Sequence, residues 1–313
     1  MNDTIRSPHK KLTEIFGRMN LSELPAISNH VSELLVLTRK EGTSAGELAQ
    51  VILKDLSLTN KVLQVVNSAY YSRGVPITTI ERAVTALGLK TIGELAVTVS
   101  LLEDFLKSGV EKEGISKLLT LSLLSAHLCK TIAQRKRLLI TPEEAYICAL
   151  LHELGRIIIF IYLPHVHRRI EMAAEVGCSE ENMARLMLKG LSYAEVGMEI
   201  ARFWNFSETI ISAMTTNPEP LDKSASPDLY LQHLALFGNR FTRLVVAKQD
   251  FSALLSEYSD LLQLDRQEPL EILLKTSETA GGISGIIHYG LTRLKVRSRL
   301  FWALDACNRQ AVA

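Results

Sequence analysis

The residues best placed to do chemistry in this chain are His152 and Glu153, adjacent in the apolar stretch from Ala149 to Gly155, with Arg156 immediately after. An imidazole beside a carboxylate, enclosed by apolar side chains, has to find polar partners. Two readings stand open. In one, His127 and His152 are buried histidines held by hydrogen bonds, and Glu153 pairs with Arg156 or another nearby basic residue. In the other, His127 and His152 keep a residual single-metal or anion site, since imidazole is a common ligand. His165 and His167 follow Pro164 and lead into Arg168 and Arg169; they read as solvated residues of a helix start.

The elements that position these residues read as helices throughout, which makes the fold class all-α. Four potential capping boxes occur: Ser44 with Glu47, Thr78 with Glu81, Thr141 with Glu144, and Ser192 with Glu195. In each, the hydroxyl can accept from a first-turn N–H while the glutamate reaches back to the cap. Pro142 stands at a first helical position. Apolar periodicity predicts helices near 8–19, 25–40, 44–54, 57–69, 78–88, 91–108, 115–135, 142–160, 164–176, 179–189, 192–204 and 207–214. Further helical segments are expected near 228–246, 250–263, 268–277 and 283–308. Gly88 stands where a left-handed helix C-cap favours glycine. Pro25, Pro76 and Pro164 mark helix starts or turns, and the stretch from Thr215 to Pro227 is the clearest break. No internal repeat is present.

Composition narrows the function classes. Hydrophobic residues make up 47% of 313, enough for a substantial core. With 35 Lys+Arg against 34 Asp+Glu, no global field favours nucleic acid or an anionic membrane. The N-terminal residues lack the apolar region of a secretory signal. The greasiest run, Ile157 to Leu163, is far shorter than the roughly 20 residues a membrane-spanning helix needs. Cys129, Cys148, Cys178 and Cys307 form no CxxC pair, and Cys129 and Cys148 sit among apolar residues as inert core thiols do. A cytoplasmic protein without a membrane span is expected. No helix-turn-helix is convincing. The run Gly281 to Gly285 lacks the Lys-Ser/Thr ending of a phosphate loop. Arg293, Lys295, Arg297 and Arg299 lie near Leu300 and Trp302. They belong to an amphipathic helix that closes the core, or to one that docks on a membrane or partner.

Several spaced blocks resemble the HDOD (HD-related output domain) family, a relative of the HD phosphohydrolases. The first runs from Leu24 and Pro25 through Leu48, Ile52, Asp55, Thr59, Val65, Asn67 and Ala69 to Ile80, Val84 and Gly88. The second is Pro142 to Ala145 with Leu150 to Gly155, and the third Ser192 to Gly197 with Trp204. The likeness covers about residues 18–220. It implies an N-terminal helical subdomain (1–110) packed on a degenerate HD-like subdomain (111–220), with a C-terminal helical extension (221–313). In this frame Asn67 and Ser68 are either local caps of a helix end or a structural tether of the N-terminal helices to the HD-like core.

The resemblance also implies where metal ligands would stand. A working HD site holds a divalent metal on histidines and carboxylates and activates water against a phosphoester. The positions fall on His127, His152, Glu153, Tyr193, Asn217 and Asn239. Only His127 and His152 keep their type. The extra methylene of Glu153 displaces its carboxylate by over ~1 Å, whereas ligand distances hold to about ±0.2 Å. No catalytic residue, metal or other cofactor is therefore expected. The expected function is a non-catalytic bacterial signalling or regulatory module acting through signalling proteins or a small ligand such as a nucleotide. The alternative is a metal-dependent phosphohydrolase or phosphodiesterase with an unusual ligand set.

Overall fold

In the computed structural model the described residues are 42–67, 77–107, 111–136, 140–204, 206–221, 225–279 and 285–312, with 12, 15, 33, 34, 36–38 and 40. They fold into helices, with no strand among the described residues. Most of the helices expected near 8–19 and 25–40 lies outside these residues, as do Pro25, Ser68, Pro76 and Gly281. Two compact units divide the chain: 1–109 with 203–206, and 110–202 with 207–313.

The first unit contains α1 (Ala45–Leu53), α2 (Leu56–Val66), α3 (Ile80–Leu87) and α4 (Leu89–Lys107), each touching the others. Ser44 and Glu47 form the expected box on α1, and Asp55 caps α2 by accepting from Leu58 N at 3.0 Å. The cap of α3 is Thr79, not Thr78: Thr79 Oγ1 accepts from Arg82 N. Adjacent threonines offer the same hydroxyl, and the register of the apolar face decides, burying Ile80, Ala83 and Val84. Gly88 ends α3 at φ +88°, ψ 152°. This is the extended mirror region open to glycine, rather than the left-handed helical region expected.

The second unit is built around α5 (Lys112–Arg135), which is buried around most of its circumference. It packs against α6 (Pro142–Leu151), α7 (Leu154–Tyr162), α12 (Pro227–Ala247), α14 (Glu268–Thr279) and α15 (Gly285–Arg293). The remaining helices are α8 (Pro164–Glu175), α9 (Glu180–Met187), α10 (Tyr193–Phe203), α11 (Glu208–Ser212), α13 (Ser252–Leu261) and α16 (Val296–Val312). The boxes Thr141–Glu144 and Ser192–Glu195 form as expected. The expected helix 283–308 is two, because Lys295 takes φ +47° between α15 and α16. Val296, Leu300 and Ala303 of α16 are buried, while Arg293 and Arg297 pair with Glu113 and Glu278. The pair α6 and α7 forms one stretch, Pro142–Tyr162, apolar enough by composition to cross a membrane; 89% of it is buried inside the protein.

Candidate functional site

The expected helix 142–160 is broken at its centre. His152 and Glu153 form a turn between α6 and α7, with Glu153 at φ −95°, ψ 17°. Asn239 of α12, 2% exposed, braces the break. Its amide nitrogen donates to Ala149 O and to Ala235 O, both at 2.9 Å. Ala149 lies within the last turn of α6, where backbone acceptors lose their helical partners. Just beyond the break, α7 crosses α10 in backbone contact. A Cβ on Gly155 would fall on the Tyr193 carbonyl oxygen and 2.6 Å from Gly197 N. One on Gly197 would lie 2.9 Å from Gly155 N. Both glycines are needed for this approach, which carries Tyr193 to the face of α7 that presents Arg156.

The result is a cavity of about 500 Å³ whose walls include His152, Glu153, Arg156, Glu180, Tyr193 and Arg243. Arg156 is its keystone and is 7% exposed. Its Nε donates to Glu153 Oε2 at 2.6 Å, and its two terminal nitrogens donate to the Glu180 carboxylate at 2.5 and 2.9 Å. This fork matches carboxylate geometry. The guanidinium also lies 4.5 Å from the Tyr193 ring centre. Arg243 adds a second cation, 3.2 Å from Glu180 and 3.6 Å from Glu153. Burial pushes the Glu153 carboxyl up, but Arg156 and Arg243 together hold it well below the usual carboxylate range. The Glu180 carboxyl is likewise raised by burial and pulled down by the same two arginines to about 2. His152 differs from its neighbours. It is 5% exposed, its Nδ1 lies 3.6 Å from Glu153 Oε1, and neither ring nitrogen has a hydrogen-bond partner.

The HDOD domain sequence pattern matches residues 24–220. This chain belongs to the HDOD domain family. Solved structures carry the same fold at low identity. An HDOD protein of unknown function from Geobacter sulfurreducens is 22% identical, with 90% of this chain and 95% of that one aligned and a TM-score of 0.59. A protein from Shewanella amazonensis SB2B that bears a phosphohydrolase name is 23% identical over 90% of this chain and 96% of its own, with a TM-score of 0.55. One from Marinobacter aquaeolei VT8 named for signal transduction is 17% identical over 90% and 66%, with a TM-score of 0.56. Among curated proteins, an uncharacterized one from Treponema pallidum (strain Nichols) is 21% identical over 196 residues, 62% of this chain. The chain spans 37% of that relative's length.

In this HDOD chain the positions expected for metal ligands part company. His152, Glu153 and Tyr193 line the cavity. Asn217 is exposed, and the neighbouring Thr216 lines the cavity instead. Asn239 is spent on backbone carbonyls. His127 packs edge-on to Tyr146 with ring centres 5.2 Å apart and does not line the cavity. Its Nε2 has no partner, and burial, with Lys130, pushes its pKa down to about 3. Among these positions the Glu153 carboxylate is engaged by guanidinium, the Asn239 amide nitrogen is taken up by two backbone carbonyls, and His127 does not line the cavity. His167, read from sequence as solvated, is instead 3% exposed and shares a 2.9 Å hydrogen bond between Nδ1 and the Tyr193 hydroxyl. His165 is exposed. Asn67 joins the end of α2 to the entry of α3: its Nδ2 donates to Leu63 O and Ile77 O, and its Oδ1 accepts from Ile77 N. Sequence reasoning missed Glu180, Arg240 and Arg243. None of the three stands in a motif, and the ion pairs of Glu180 and Arg243 link distant parts of the chain without a periodic signal.

Proposed function

We propose that this HDOD chain is a non-catalytic regulatory module of bacterial signalling, working by binding at or around its HD-like cavity. One observation carries the reading: the Glu153 carboxylate is neutralised from within the protein, by Arg156 at 2.6 Å and Arg243 at 3.6 Å. A guanidinium is a permanent cation that cannot lower the pKa of a bound water as a metal does. The signal-transduction name of the Marinobacter relative is in keeping with this role. Signalling proteins are its proposed partners, and the cytoplasm its proposed location. The hydrolase alternative draws on His152, an imidazole beside a carboxylate with both nitrogens open. Assay of phosphodiester hydrolysis with added Mn²⁺, Fe²⁺ or Zn²⁺ separates the two. The regulatory reading expects no turnover beyond that of His152→Ala. Metal-dependent turnover lost in His152→Ala would establish the alternative.

A further inference from the structure

The charge inventory of the cavity leaves one cation over. Glu153 and Glu180 share Arg156 and Arg243, and Glu181 is held by Arg185 at 3.0 Å. Arg240 also lines the cavity. It is exposed and makes no ion pair or hydrogen bond among the described residues. Deeper in, His152 is 5% exposed; its Nε2 has no partner, and its Nδ1 has only the Glu153 carboxylate at 3.6 Å. Each ring nitrogen of an imidazole is a hydrogen-bonding group, and leaving Nε2 unmet in a buried position is costly. An open cation and an unmet buried polar ring therefore share one space, whose volume of about 500 Å³ falls in the range of small-molecule sites.

We infer that this cavity binds a small organic oxyanion, a phosphate or carboxylate, which Arg240 holds while a polar group of the same molecule meets His152. The inference rests on the regulatory reading, because it uses His152 as a hydrogen-bonding group rather than a metal ligand. Arg243 is the second contact. It is 39% exposed, its bond to Glu180 is 3.2 Å long, and it can turn one face to an incoming oxyanion while keeping that carboxylate. Arg156 stays fixed, since three of its hydrogen bonds are already made. A phosphate ester and a carboxylic acid would use the same guanidinium geometry, so the chemistry is shared and the source is left to experiment.

The test is calorimetric titration of the full chain with sodium pyrophosphate and, separately, sodium malonate, at ionic strength matched with sodium chloride. Saturable binding of at least one probe is expected below about 10 mM, with Arg240→Ala weakening it by about tenfold or more. Arg202→Ala, on an exposed guanidinium paired with Glu199 and not part of the cavity wall, should leave it unchanged. Preference for pyrophosphate would assign a phosphate ligand; preference for malonate, a carboxylate. On the unmutated protein, the His152 ring ¹⁵N resonances should move with the same saturation curve, which guards against a misfolded variant. No saturation with either probe, an unaltered Arg240→Ala variant, or unmoved His152 resonances would overturn the inference. Failure of the regulatory reading looks different: it is metal retained by the protein and lost when His152 and Glu153 are replaced.

Discussion

Replacing Arg156 with methionine removes the keystone while keeping most of its volume. Three hydrogen bonds disappear, and two part-buried carboxylates lose their nearest cation. The fall of the Glu180 carboxyl from 4.5 to about 2 corresponds to roughly 3 kcal/mol at about 1.36 kcal/mol per unit of pKa. Breaking a buried pair from one side costs about 3–5 kcal/mol. Arg243 stays within 3.2 Å of Glu180 and offsets part of the loss, so Arg156→Met should destabilise the protein by about 3 kcal/mol near neutral pH. The sign with pH follows from linkage. The Glu180 value lies below its unfolded one, so its stabilisation is complete above about 4.5 and is lost as pH falls toward about 2. In the variant both part-buried carboxyls have less compensation and rise. The deficit against the unmutated protein should therefore be greatest near neutrality and shrink as pH falls toward about 4. Urea denaturation followed by circular dichroism at several pH values measures both. A loss under about 1 kcal/mol, or a deficit that does not change with pH, would refute the keystone role.

Three further substitutions test the packing of the helices. Asn239→Asp restores an anionic ligand type but sets a carboxylate against two carbonyl oxygens at a 2% exposed position. A loss of about 3 kcal/mol or more with no gain in Zn²⁺ or Mn²⁺ affinity is expected in denaturation and metal titration. Gly155→Ala should lower the melting temperature severely, because its methyl group would fall on the backbone oxygen of Tyr193. Gly46→Ala, whose Cβ would meet nothing closer than Ser44 Oγ at 3.9 Å, should instead gain about 0.5–1 kcal/mol from helix propensity.

Local chemistry that acts within one turn was mostly legible in the sequence, with the cap of α3 shifted by one residue to Thr79. The boxes at Ser44, Thr141 and Ser192 formed as read, and the all-α class and family followed from periodicity and spaced blocks. The α6–α7 break was not legible: no proline or glycine stands between Cys148 and Glu153, and apolar residues run across it. Asn239 read as a failed ligand because its donor role exists only once that break sets Ala149 O before it. Its neighbour Gly238, whose Cβ would collide with Cys129 Sγ, lets α12 come close enough to α5. His167 read as solvated because its partner, Tyr193, is 26 residues away and arrives only through the Gly155–Gly197 crossing. Arg156 beside Glu153 was visible as an i,i+3 pair, but Glu180, which makes it a fork, belongs to another helix.

The central claim is that the protein's own arginines hold the charge an HD site would give to metal. Its most direct test is elemental mass spectrometry on full-length protein purified without chelators and without an affinity tag. Less than about 0.1 equivalent of Mn, Fe, Ni or Zn per chain is expected, since a preformed ligand cage would retain its metal. About one or two equivalents, lost when His152 and Glu153 are both replaced by alanine, would contradict it.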